Sequence, residues 1–478
     1  MEKIRIFQGL KPFEKAELAT MLALAVAIPF HWFAAQVGEA LLLICAFLKI
    51  VYQQKFQLNQ AQMRFKWVYS IYALTWLIYL IGMFYSSNQY FGWTQVSKKL
   101  GFLIFPAIFL FSDMSYLTRR HIKALGYALI AGCLLFFMMH LSYALYDVLF
   151  NGATSERFFD EELMKIYYVQ HSYLAMYACL GLMFSFVDIF ESHKRNVIIV
   201  NVLVYFMLIL MIILVRSRAG LVWMVVTFVI QWIWLIFIMK KVKAGLIVGG
   251  AFIVLVAGAW VLFPQSAERI KLTVTKLTTE NQSDHRLTQF KGYKEVIDQN
   301  WMFGVGTGDR CDEMEASYLR YKQGIIEMIG PEVAAELDKY VAKEMYEPWE
   351  SMRGKIMQKA EQYGRDPEMV NSYIIDYMYT CYAIDMDTNA HNQFMETLIS
   401  VGVVGVLLLL AYFIVPLVLW IRCKRFDLMY FAFLTMIFFN AMFESIFERQ
   451  QGIIFFCFFN MLFFMQAFVK DDNKPVKI

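Results

Sequence analysis

The chain has 478 residues, 59% of them hydrophobic, 17% aromatic and only 18% charged. A soluble domain carries about 45–50% apolar and about 25% charged residues, so this composition excludes an ordinary soluble protein and fits a polytopic membrane protein. The net charge is a small +4, and with no GxGxxG or P-loop pattern the chain carries no signature of nucleic acid or nucleotide binding.

Taken in order, Met1–Lys15 is amphipathic and basic, and the apolar run after it reads as a retained anchor rather than a cleaved leader. Apolar periodicity and length predict about twelve spans, near 17–33, 37–53, 67–85, 100–117, 124–148, 171–189, 197–215, 219–239, 244–263, 391–420, 428–443 and 451–469. Lys and Arg gather in alternate short connections, among them Lys55/Arg64/Lys66, Arg119-Arg120, Lys194-Arg195, Lys240-Lys241 and Lys424-Arg425. By the positive-inside rule this places both termini in the cytoplasm, with Pro264–Ala390 a large extracytoplasmic helical loop. The fold expected is therefore all-α, in three stretches: spans over 1–263, the loop over 264–390, and the last spans and tail over 391–478.

Three outer connections break the charge rule: Lys98-Lys99, Arg216-Ser217-Arg218, and Arg449 within Glu444–Gln450. Either these cations reach out to lipid phosphate, or they form a binding site for an anionic, lipid-linked group. The spans themselves look nearly free of midplane charge, and no internal repeat is visible, which favours an enzyme over a transporter.

Within the loop, Ser266–Thr279, Arg286–Gln299, Arg310–Ile329, Pro331–Glu344 and Pro367–Tyr382 have helical spacing. Asn300–Asp309, with Gly304, Gly306 and Gly308, is a glycine-punctuated turn that serves either as a chain reversal or as an anion nest. Cys311 and Cys381 are the loop's two cysteines. In an oxidising compartment they either pair as a disulfide or stay as thiols.

The chemistry-bearing candidates cluster around this loop. Thr388 or Asn389 would N-cap a helix beginning near Ala390, placing His391 in its first turn, where the dipole favours a bound anion and a neutral imidazole able to act as a base. Arg218 and Arg286 offer planar forks suited to phosphate oxygens, with Arg216 in support. A surface ion pair with Asp284 is the plainer account of Arg286. Further candidates are His171, Gly306, Glu444 and Arg449, with Glu396 one turn below His391. Capping, packing and mutual salt bridges are the competing readings.

Ser217-Arg218-Ala-Gly between spans, Arg286-Leu-Thr-Gln-Phe-Lys-Gly-Tyr with Asn300-Trp-Met-Phe-Gly-Val-Gly-Thr-Gly308, and His391-Asn-Gln-Phe-Met-Glu-Thr-Leu-Ile-Ser-Val-Gly-Val-Val-Gly405, in that order, resemble the bacterial O-antigen ligase and polymerase superfamily over about Tyr205–Gln450. The resemblance implies a GT-C type membrane glycosyltransferase, inverting and without metal or cofactor. It would take a glycan from an undecaprenyl-diphosphate carrier on the periplasmic face of the inner membrane. The acceptor would be a lipid A-core sugar in a ligase or another carrier-linked repeat unit in a polymerase. A flippase of lipid-linked oligosaccharide is the alternative of another class. Carried over, Arg218 and Arg286 would bind the diphosphate and His391 would activate or orient the acceptor hydroxyl. The stretch Asp312–Asp385 is longer than the family pattern leads one to expect.

Overall fold

A computed structural model describes residues 5–53, 60–262, 285–342, 349–385 and 389–469. The regular elements among the described residues are all helices, with no strand among them. Nine helices among them are long and apolar enough to cross a membrane. The segments expected at 17–33, 244–263 and 428–443 carry helices outside that number, Val242–Val254 and Leu428–Phe443 being shorter apolar stretches. The helix expected over Ser266–Thr279 lies outside the described residues, as do Lys55, Asp284 and Thr388.

The backbone divides into two compact units: Met1–Trp76 with Lys98–Ile270 and Leu408–Ile478, and Leu77–Ser97 with Lys271–Leu407.

In the first unit, local signals set the helix starts. Thr118 stands extended before Arg119–Phe150 and forms a capping box with His121. Ser217 Oγ accepts from the Gly220 amide at 3.1 Å, and Asp427 Oδ1 from that of Tyr430 at 2.9 Å. Each satisfies a donor that the first turn leaves open. Helix Gln450–Phe464 runs through the middle of this unit, since 94% of the Gln450–Val469 span is buried against 39% of Arg195–Val215. Around it packs an aromatic cluster: Tyr72 stacks on Tyr412 at 4.4 Å, Phe102 meets Phe447 at 5.3 Å, and Phe447 meets Phe456 at 5.0 Å. Helix Arg195–Val215 exposes Ile199, Val200, Leu203 and Phe206. A soluble protein seldom leaves such an apolar face uncovered, whereas lipid covers it at no cost.

One span boundary and several buried charged residues differ from what the sequence suggests. The span expected at 100–117 ends at Phe111, and the apolar segment instead takes in Gln89–Lys98 before it. Lys99 does not reach out to lipid: it is buried, its Nζ 3.2 Å from Glu448 Oε1. Nor are the helices free of buried charge. Glu17 and Lys49 are fully enclosed 2.7 Å apart, with Ser112 and Tyr116 donating to the carboxylate. Glu39 is buried on Trp32–Gln53 with its Oε1 unpartnered. The Glu17–Lys49 ion pair persists because each charge meets the other, and composition alone does not reveal that pairing.

The second unit contains helices His285–Asn300, Arg310–Ile329, Pro331–Ala342, Trp349–Gln362 and Pro367–Asp385. The first three and the last follow the expected spacing; Trp349–Gln362 was not anticipated. Gly330 (φ 91°) ends one helix and Pro331 opens the next, the usual placing of residues that tolerate and that fix φ. Ile325, Ile329, Val333, Leu337, Ile356, Val370 and Ile374 form one core, and Tyr293, Val296, Met314, Tyr318 and Ile399 a second. The described parts of the long stretch, 312–342 and 349–385, are thus packed helices with their own apolar interior.

Candidate functional site

Helix Gln393–Cys423, whose stretch up to Leu407 belongs to the second unit, starts later than the caps Thr388 or Asn389 would set it. Asn392 Oδ1 accepts from the Phe394 and Met395 amides at 2.9 and 3.1 Å, so Asn392 is the cap. His391 precedes the helix instead of occupying its first turn, with a left-handed backbone (φ 45°), and its amide donates to Asn389 Oδ1 at 3.0 Å. A left-handed non-glycine residue costs roughly 1–2 kcal/mol, so its surroundings hold it there. One holding group is Glu396. It is fully buried, accepts from the Ala390 amide at 2.5 Å, and lies 3.1 Å from Arg310 Nη1. Glu396 therefore positions the backbone next to His391. Arg310, at the start of its helix, is the counter-charge, and its guanidinium also faces the Phe91 ring at 5.7 Å.

The same helix breaks at Gly402 (φ 72°, ψ −168°). Freed from helical bonding, the Ile399 carbonyl accepts from Val305 at 2.7 Å and that of Ser400 from Gly306 at 3.1 Å, while Val403 donates to Trp301 at 2.9 Å. The glycine turn and the His391 helix are therefore exchanged backbone to backbone. Gly304 donates to Asn300, Thr307 to Gly82, and Gly308 to Ser86 Oγ at 2.9 Å. All five amides of 304–308 thus have protein acceptors, and the turn is a closed junction. Asp309 caps a neighbour, its carboxylate accepting from the Ser87 and Asn88 amides at 2.8 and 2.7 Å.

Arg286 lies in the first turn of His285–Asn300, the helix that runs into this turn, and Arg218 opens helix Arg218–Ile233 in the first unit. The side chains of both are outside the described residues. Arg216 and Arg218 do not share a helix: Arg216 ends Arg195–Val215 in a left-handed conformation (φ 51°) and Ser217 caps the next.

Arg216 is buried, with Nη1 3.3 Å from Glu156 Oε2 and its guanidinium 3.8 Å from the Phe159 ring centre. The next residue along, Asp160, also left-handed (φ 58°), places Oδ1 2.9 Å from His171 Nε2. Ser172 donates to Glu444 at 3.3 Å. Arg449 is exposed beside Tyr167 and Tyr168. Burial, followed by the charge of Glu161, pushes the Tyr168 phenol up. Arg216, His171, Glu444 and Arg449 are thus carried by neighbouring segments of the first unit. Glu448 pairs with Lys99, and Glu444 accepts from Ser172. The residue missed here is Arg157, buried 2.7 Å from Asp147. Its signal was available, since the connection 151–170 carries Arg157 and Lys165 where the charge rule expects few cations.

Cys311 and Cys381 are separate thiols, which decides against a disulfide. Arg310 Nη2 lies 3.0 Å from Cys311 Sγ, and Cys381 packs in the first core of its unit. Among the described residues no cluster of His, Cys, Asp and Glu is arranged to hold a metal. Compared with known protein families, the chain matches no family model, and it has no match among curated proteins.

Proposed function

We propose that this chain is a membrane glycosyltransferase of O-antigen ligase type. It would transfer a glycan from an undecaprenyl-diphosphate carrier to a lipid A-core hydroxyl at the periplasmic face of the bacterial inner membrane. The observation that carries the reading is the backbone exchange between Trp301–Gly306 and Ile399–Val403. Two of the three motifs that resemble the superfamily are thereby one structural element, with the strained His391 just outside it. In this reading Arg218 and Arg286 neutralise the charge that grows on the diphosphate as the sugar–phosphate bond breaks. His391 takes up or directs the proton of the attacking hydroxyl. Arg216, already paired with Glu156, supports the Arg218 turn, and Gly306 serves the backbone approach. His171, Glu444 and Arg449 belong to the acceptor side. Twelve spans with both termini in the cytoplasm complete the proposal, because that count puts the basic connections on one side.

Deletion of the gene tests the reaction. Loss of long glycan from the lipid A-core, with polymer accumulating on the carrier, supports a ligase. Cores capped by single repeat units move the assignment to a polymerase of the same chemistry, and an unchanged glycan profile removes both. Glu39, buried on the span Trp32–Tyr52, favours a second reading, a flippase, since buried ionisable groups in spans mark transport pathways. Accumulation of lipid-linked units on the cytoplasmic face would select it. Arg218→Lys keeps charge but loses the fork, so transfer should fall at least about tenfold at normal expression.

A further inference from the structure

We propose that Arg157 binds a phosphate-type oxyanion carried on a lipid. The residue sits on the short helix Ser155–Phe158, whose neighbouring side chains part: Glu156 turns to Arg216, and Arg157 to helix Arg119–Phe150. There Nε donates to Asp147 Oδ2 at 2.7 Å and the guanidinium faces the Tyr143 ring at 5.0 Å. The side chain is 3% exposed, yet among the described residues Nη1 and Nη2, both buried, have no acceptor. These two nitrogens carry four of the five N–H groups of the side chain, on the edge that grips phosphate in a bidentate manner. A buried guanidinium with one carboxylate contact and an unmatched fork is a poor structural element and a prepared receptor for an anion. His140 ties the segment down, its Nε2 3.1 Å from the Tyr167 carbonyl and its Nδ1 2.9 Å from that of Phe136. The lipid carrier follows from the flank. The helix bearing Asp147 exposes Leu145, Tyr146, Leu149 and Phe150, an apolar strip where a hydrocarbon chain would lie.

The test titrates the full-length protein in detergent with farnesyl diphosphate and with inorganic pyrophosphate, read by native mass spectrometry. The wild type should bind farnesyl diphosphate, and Arg157→Lys should weaken it at least tenfold because the planar fork is lost. Lys165→Gln, an exposed change on the same segment, should leave it within twofold. Asp147→Asn removes the competing carboxylate and should tighten binding several-fold. It also serves as the second reading if the Arg157 variant fails to fold. Dependence on Arg157 confined to farnesyl diphosphate assigns a lipid headgroup; equal dependence with pyrophosphate assigns the phosphate chemistry without the lipid. The proposal is overturned if the wild type binds neither probe, or if Arg157→Lys lowers the melting temperature while affinity stays within twofold. Binding is read without glycan transfer, so failure here leaves the transferase reading standing, and the reverse.

Discussion

Gly402 and Met302 meet backbone against backbone: a Cβ on Gly402 would stand 2.1 Å from the Met302 carbonyl oxygen. Gly402 also occupies a backbone region that essentially only glycine enters. The approach lets Val403, released from Ile399, donate to Trp301 while Ile399 accepts from Val305. The carbonyls of Ile399 and Ser400 and the amide of Val403 all find partners in the glycine turn, and such re-pairing is what permits an interrupted helix in an apolar setting.

Gly402→Ala should therefore cost about 3 kcal/mol or more, from the backbone conformation together with the clash. Thermal unfolding in detergent checks this. A melting temperature equal to wild type would show that the junction relaxes freely.

Arg310 and Glu396 are both buried, so removing one partner strands the other. Arg310→Met and Glu396→Ala should each cost about 3–5 kcal/mol. Glu396→Gln retains an acceptor for the Ala390 amide and should cost less than Glu396→Ala. The double variant Arg310→Met/Glu396→Gln should recover part of the loss. Strictly additive losses in a double-mutant cycle would deny the coupling.

The seven cysteines are all unbridged. Titration of the denatured, non-reduced protein with a thiol reagent should count seven; a count of five would restore the Cys311–Cys381 pairing.

Alkaline pH should weaken the second unit. Burial pulls the Lys291 ammonium down, but hydrogen bonds to Asp376 (2.8 Å) and Tyr321 (3.0 Å) outweigh it and hold its pKa above the ordinary 10.5. A group whose pKa is higher folded than unfolded stabilises fully below the unfolded value and loses that contribution as pH rises through the folded one. The melting temperature should thus drop as pH climbs past about 10.5, and Lys291→Met should flatten that part of the profile. An equal drop in the variant would assign the loss to other groups, Lys322 among them, whose ammonium is also held up against burial, by Cys381 first.

The membrane class was legible in composition, and helices such as Arg310–Ile329 and Pro331–Ala342 in spacing and in the Gly330-Pro331 pair, because periodicity and φ restriction act over a few residues. His391 was legible as a candidate from its motif, but its left-handed backbone was not. That conformation depends on Glu396 gripping the Ala390 amide, and Glu396 on Arg310, 86 positions away. Lys99 finds Glu448 across 349 positions. The break at Gly402 exists because Trp301 and Val305 arrive to take over its hydrogen bonds. Local sequence thus determined which stretches are helical and apolar. The tertiary structure alone decided which charges are neutralised and where a helix opens, since a buried ion or a freed amide is stable only beside a partner brought to it by the rest of the chain.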